Sequence, residues 1–564
     1  MKPAQLLDHF DRISEAPKAM PDLRRFILDL AVRGKLVEQD TNDEPASGLL
    51  KQIRATKAGL VKEGRIKRAE EYAAVDPRER WCAIPSGWLY VRLGALTNIV
   101  MGQSPPGSSY NKAGEGVPLI NGPVEFSEGP FGTTIVNQYT TEPTNFSERG
   151  DLLLCVRGST TGRTNIAAIR ACIGRGVAAI QPMFDDRFVR LCVHTLRQSI
   201  IGMGRGIAFP SISRHQIESL VIPLPPLAEQ YRIVTKVDDL MALCDRLEGA
   251  QAERERKRNR LTAASLHRLN QPADASELAA FRNHARFHIS HLSCFTTSPD
   301  QIAALRQTIL GLAVRGRLVP HDSTDEPASA LLERIHAEKT QLLMNGQIKR
   351  LKSAPAVVDS RLTIDWPQGW ELQSLQSLCI SISDGDHQPP PKTDRGVPFL
   401  VIGNVRWRSI DFNGCRHVSN EYYRALDSVR RPQKGDILYT LVGSFGIPVM
   451  VSDDRPFCIQ RHIGILRPST NVDIGFLARV LGSRFVFDQA SACATGIAQK
   501  TVPLAGLRAL QIPLPPLLEQ ARIASKVNQL MAVCDQLEAQ LTGAQAKNRR
   551  LLEAVLHEAL DSAA

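Results

Sequence analysis

The sequence predicts an α/β (α+β) chain of two tandem pseudo-repeats, each a mixed α/β domain followed by a long coiled-coil helix and preceded by a helical extension. Three observations lead there: a long internal repeat, a heptad-spaced run closing each copy, and middle sections that differ between the copies. Residues 23–37, LRRFILDLAVRGKLV, return 282 positions later as LRQTILGLAVRGRLV. The same offset relates Asp43-Glu44-Pro45-Ala46-Ser47 to Asp325-Glu326-Pro327-Ala328-Ser329. Towards the end of each copy the offset becomes 290, where residues 222–248 and 512–538 share 19 of 27 positions. Repeats of this length define the architecture before any local propensity is weighed.

Each half then divides in three. Leu23, Phe26, Ile27, Leu30 and Ala31 recur at helical spacing and stop at Gly34, a natural C′ residue. A second helix is expected over about 46–70, carrying Lys51, Arg54, Lys57, Lys62, Arg65, Lys67 and Arg68. The middle, with short runs such as LLLCV and GVAAI among Gly, Pro and Thr, reads as mixed α/β with long loops. Pro225-Pro226 ends that part and opens the long helix. Its second copy spaces Ile523, Val527, Leu530, Cys534, Leu537, Leu541 and Ala544 by four and three, then resumes at Leu551 and Val555; such spacing wants a helical partner, expected to be the repeat's own other copy. The resulting division is 1–84 helical, 85–225 first mixed domain, 226–270 central long helix, 271–364 linker and second helical region, 365–515 second mixed domain, and 516–564 C-terminal long helix.

At 564 residues, with 43% hydrophobic and 23% charged residues, the chain is neither disordered nor fibrous. No stretch reaches the ~18 apolar residues of a membrane helix, and Asp8, Asp11 and Glu15 interrupt the N-terminus, so a cytoplasmic protein is expected. A net charge of +11 favours a polyanionic partner. Eleven scattered cysteines without C-x-x-C spacing read as reduced packing residues and give no metal site. No phosphate-binding Gly-rich loop, dinucleotide fingerprint, nucleophile elbow or H-E-x-x-H motif is present, so no catalytic residue, cofactor or metal is assigned to this chain.

The divergent middles instead hold Gly-bearing polar segments of the kind that read base edges and phosphates. The first half contributes Gln103, Ser104, Asn121, Arg157, Ser159, Thr160, Arg163 and Arg205; the second contributes Asp386, His387, Asn404, Arg406, Trp407, Ser444, Phe445, Gln499 and Lys500. Each segment is also a possible turn in its own right; two copies on basic modules favour contact with nucleic acid.

With tandem halves, Ile222-Pro223-Leu224-Pro225-Pro226-Leu227-Ala228-Glu229-Gln230 and its copy Ile512-Pro513-Leu514-Pro515-Pro516-Leu517-Leu518-Glu519-Gln520, and the Gly150-Asp151-Leu152-Leu153 and Gly435-Asp436-Ile437-Leu438 runs before Gly158-Ser159 and Gly443-Ser444, the sequence resembles the specificity subunit of type I restriction–modification systems. Asp384-Gly385-Asp386-His387, followed by Pro389-Pro390, is similar to the opening of that family's DNA-reading domains. The resemblance implies two target-recognition domains on an antiparallel helix pair, reading a bipartite, asymmetric site in double-stranded DNA. It implies as partners two methyltransferase subunits using S-adenosylmethionine and two restriction/motor subunits using ATP and Mg, with no membrane. A stand-alone DNA-binding regulator and a coiled-coil scaffold remain open: the regulator would bind a specific duplex without partners, and the scaffold would bind no DNA.

Overall fold

The computed structural model describes residues 19–66, 72–127, 132–184, 187–204, 211–271, 278–348, 366–386, 393–496 and 499–561. It divides into two units, residues 1–253 with 544–564, and residues 254–543.

In the first unit a helical hairpin, Ala19–Val32 and Ala46–Lys62, packs Ile27, Leu28, Leu49 and Ile53 into the core. Gly34 ends the first helix at φ 69°, and an added Cβ there would run into Pro85. The second helix stops at Lys62 rather than near residue 70, because Gly64 turns the backbone left-handed at φ 68°; Lys67 and Arg68 lie outside the described residues. Lys57 is buried, donating to the carbonyls of Gly94 and Thr97, and burial lowers its pKa. It therefore caps the carboxyl end of the short helix Leu93–Leu96, where an ammonium meets unpaired carbonyls.

The recognition part opens with strand Leu89–Arg92 antiparallel to Val221–Leu224. A four-stranded antiparallel sheet follows in the order Thr97–Met101, Val177–Pro182, Leu152–Cys155, Thr164–Ile166. A five-stranded mixed sheet of short strands pairs Val117–Ile120 in parallel with Ala171–Ile173. The two apolar runs, LLLCV and GVAAI, are the adjacent central strands, buried on both faces.

The second unit repeats this plan. Strand Glu371–Ser374 pairs with Gln511–Leu514, and the four-stranded order is Cys379–Asp384, Ile463–Pro468, Ile437–Thr440, Pro448–Met450. Lys339, the counterpart of Lys57, donates to the carbonyls of Gln376 and Ser377.

The L-P-P-L-x-E-Q motif is a joint. Trp88 Nε1 donates to Glu229 Oε2 at 2.9 Å, and Trp370 Nε1 donates to Glu519 Oε2 at 3.2 Å. Gln230 and Gln520 donate to the carbonyls of Pro225 and Pro515 at 3.0 and 2.9 Å. Arg232 pairs with Asp43 at 2.6 Å, and Arg522 pairs with Asp325 in the same way. Burial raises the Glu229 pKa against the opposing bonds from Trp88 and Gln39.

The long helices run Leu227–Asn270 and Leu517–Asp561. Their apolar spacing serves a different purpose from the expected one over most of its length. Ile523, Val527, Met531 and Cys534 sit in the core of their own recognition domain with Phe476, Leu477 and Ile512. Ile233, Val237 and Cys244 do the same beside Phe188 and Ile222. A globular core wants the same stripe as a coiled-coil seam. Helix-to-helix packing of the predicted kind occurs where Leu247 meets Leu552 and Val555; there Leu552 rather than Leu551 is fully buried, and Ala544 is exposed. Cys244 and Cys534 are buried free thiols, raised in pKa by burial, as packing residues should be. Among the described residues, no helix is long and apolar enough to cross a membrane.

Candidate nucleic-acid interface

The strand pairings bring most of the predicted residues to one end of each four-stranded sheet. In the first unit Met101 pairs with Ala178, and Val177 with Cys155. The chain leaving Met101 through Gln103 and Ser104, the chain leaving Cys155 through Arg157, and the Gly174-Arg175-Gly176 turn entering Val177 therefore share that end. Gly102 and Gln103 donate to the carbonyls of Val177 and Ile173, both at 2.9 Å, which locks the first of these segments to the turn. Ser104 Oγ accepts from the Arg175 amide at 3.2 Å.

Arg157 and Ser159 are exposed in the hairpin turn between Leu152–Cys155 and Thr164–Ile166. That turn needs Gly158 and Gly162 at φ 86° and 82°, a region other residues adopt at a cost. Thr160 and Arg163 are half-buried, and Cys155 beneath them is pushed up to about 11 by burial. Asn121 lies against Gly174, where a Cβ would meet its side-chain oxygen. It borders an open groove lined by Lys112, Asn137 and Gln138, three polar residues the sequence reading passed over. Arg205 lies outside the described residues.

The second unit gathers the equivalent segments. Asp384 pairs with Gly464 and Thr440 with Ile463, so the chain after Asp384, the 441–447 turn and Gln460-Arg461-His462 share one end. A bridge between Val442 and Thr501, and a bond from the Gly443 amide to the Lys500 carbonyl at 2.9 Å, add the exposed Gln499 and Lys500. Ser444 is exposed at the tip, and Phe445 stacks on Phe487 at 5.3 Å. Burial lowers the His462 pKa, with Arg461 adding to the effect.

Three predicted residues are engaged within the fold. Asp386 accepts from Tyr422 Oη at 2.5 Å and lies 3.6 Å from Arg430. Asn404 closes its own turn, accepting from the Val401 amide at 2.9 Å and donating to the Asp411 carbonyl at 2.9 Å. Trp407 is 41% exposed, yet its ring edge abuts Gly482, where a Cβ would approach within 2.7 Å. Arg406 is exposed and pairs with Asp411 at 3.0 Å. His387 lies outside the described residues.

Each sheet end exposes polar and basic side chains, Arg157 and Arg175 in the first unit and Arg461, Gln499 and Lys500 in the second. Among the described residues no three His, Cys, Asp or Glu side chains gather to hold a metal ion. What these sheet ends offer is exposed arginine, lysine and amide donors on turns that join the strands, a surface suited to phosphates and base edges.

Comparison with known proteins adds an independent line. A family model described as the type I restriction modification DNA specificity domain matches residues 85–255 and 391–544, one match on each repeat. The chain is 30% identical over 571 aligned residues to the type I restriction enzyme EcoEI specificity subunit of Escherichia coli, covering 96% of this chain and 93% of that one. It is 29% identical to the EcoAI specificity subunit of the same species, with the same coverage of both chains. A putative MjaX specificity subunit of Methanocaldococcus jannaschii is 37% identical over 36% of this chain and 49% of its own.

Proposed function

Since the chain belongs to the type I restriction–modification DNA specificity family, we propose that its two sheet ends each read one half of a bipartite, asymmetric site in double-stranded DNA. The observation that carries this reading is the contrast between frame and surface. The same strand order and the same joint recur in both units, while the side chains on them differ: the exposed Arg157 stands where the second unit has the buried Val442. Two readers of one sequence would have kept those side chains alike.

Catalysis on this account belongs to partners. Two methyltransferase subunits using S-adenosylmethionine would modify adenine at the site, and two motor and nuclease subunits using ATP and Mg would cut unmodified DNA. This chain would supply position and sequence choice. Arg157, Ser159, Ser444, Gln499 and Lys500, all exposed, would be the side chains that touch bases or phosphates.

Methylome sequencing of cells with and without the chain tests the reading. One asymmetric, two-part methylated sequence should appear with the chain and vanish without it. Methyl transfer by the purified chain alone would contradict it.

A further inference from the structure

We propose that Arg175 and Arg461 form a matched pair of phosphate-binding residues, one on each recognition domain, which seat the two sheet ends on the DNA backbone independently of the sequence read. The inference rests on the reading above and assigns a role to two residues outside it.

Their equivalence comes from backbone hydrogen bonds. Val156 donates to the carbonyl of Gly176 at 2.9 Å, and Leu441 donates to that of His462 at 2.9 Å. Gly102 donates to Val177 and Gly385 to Ile463; Gln103 donates to Ile173 and Asp386 to Ile459. In this shared frame the arginine stands two residues before the strand in both units, within Cys172-Ile173-Gly174-Arg175 and Cys458-Ile459-Gln460-Arg461. The offset is 286, midway between the two framework offsets of 282 and 290.

The neighbouring charges do not survive the same superposition. Arg157 bridges to Ser211 as Val442 bridges to Thr501. The carbonyl of Arg163 accepts from Cys155 as that of Ile447 accepts from Thr440. Of Arg157, Arg163 and Arg175, Arg175 is the one matched by an arginine in the second unit.

Both matched side chains are exposed, and among the described residues neither pairs with a carboxylate. Their backbones are fixed, since the Arg175 amide donates to Ser104 Oγ and the Arg461 amide to the Asp386 carbonyl, each at 3.2 Å. A charge held in place without an internal partner is available to a ligand. Two surfaces that read different bases share one feature of their targets, the phosphodiester, and a guanidinium matches its geometry. Base discrimination then falls to the unmatched positions.

The test uses the full chain assembled with its methyltransferase subunits, binding a duplex that carries the mapped site and a scrambled duplex over a range of salt. Arg175→Ala and Arg461→Ala should each weaken binding to both duplexes by the same factor. Each should also flatten the slope of log affinity against log salt by about 1. The double variant should flatten it by about 2, Arg→Lys should restore most of it, and the methylated sequence should stay unchanged. Unaltered binding in both variants, or relaxation at one base position, would overturn the assignment. Salt-independent binding by the unmodified assembly would instead refute the underlying reading, so the two failures are distinct.

Discussion

The ends of the two long helices occupy the same place in the repeat but are built from different chemistry. In the first unit Leu552 and Val555 close with Ala19, Met20 and Leu247 into an apolar cluster, with Leu552 wholly buried. In the second unit the corresponding positions are Thr262 and Ser265, with Gln301 and Ile302 opposite, all four buried. There Ser265 Oγ bonds His288 Nδ1 at 2.9 Å, Gln301 Nε2 donates to Asn259 Oδ1 at 2.7 Å, and Asn270 Nδ2 donates to Thr308 Oγ1 at 3.0 Å. One end is held by burial and the other by directional bonds. The lesson is that duplication made the halves alike while later change gave each end a partner of its own kind. Polar networks of this sort are exacting about their neighbours.

That contrast can be broken most directly by emptying the apolar end. Leu552→Ala should cost about 2–5 kcal/mol, read as faster amide exchange along Ala19–Val32. Ser265→Ala in the second unit, which removes the bond to His288, should cost about 1 kcal/mol, the worth of one ordinary hydrogen bond. Equal losses would show that the two ends do not differ in kind.

A shortened chain sharpens the comparison. The 27-residue block with 19 identities predicts that residues 1–272 form a two-fold dimer that, with methyltransferase subunits, directs methylation of a palindrome. Thr262 and Ser265 would then face Ala19 and Met20, where Leu552 and Val555 sit in the full chain. The dimer should be weak, and Thr262→Leu with Ser265→Val should tighten it by about 1.5–3 kcal/mol at each end. Sedimentation of the two forms checks this; no gain from the double substitution would mean that the ends do not govern pairing.

Arg157→Ala should cost about 1–3 kcal/mol at one position of one half-site if it reads a base. Its counterpart in the second unit is Val442, so no equivalent loss is expected from Val442→Ala. Binding to duplexes mutated in either half separates the two.

The smallest effect concerns acidity. Burial holds the His288 imidazole below its ordinary pKa of 6.5. The unfolded chain therefore takes up more protons than the folded one as pH falls past 6.5, so the stability due to His288 is full above that value and is lost below it. Thermal unfolding between neutral and mildly acid pH should show a shallower loss for His288→Gln than for the parent chain. An unchanged slope would remove His288 from the account.

The frame was legible in the sequence because repeats are read by identity. The 282 and 290 offsets located both hairpins, both joints and both long helices. What the sequence obscured is physical. A heptad stripe buries equally well against a globular core or another helix, so Ile523 and Val527 gave no sign of which awaited them. Asp386 looked like a contact to DNA, but its partner Tyr422 lies 36 residues away in sequence. Arg461 escaped because C-I-x-R stands alone at its own offset, and a four-residue match gains meaning once strand pairing shows that both copies enter the same strand. Lys57 counted as one more basic residue of the second helix until the carbonyls of Gly94 and Thr97 explained it.

The central claim, one frame carrying two independent readers, is tested most directly by mapping methylation after an exchange. Residues 90–220 would be replaced with the matching domain of a relative, and the full-length chain assembled with its methyltransferase subunits. The account predicts a new sequence in one half of the methylated site, with the other half retained. A change in both halves would contradict it.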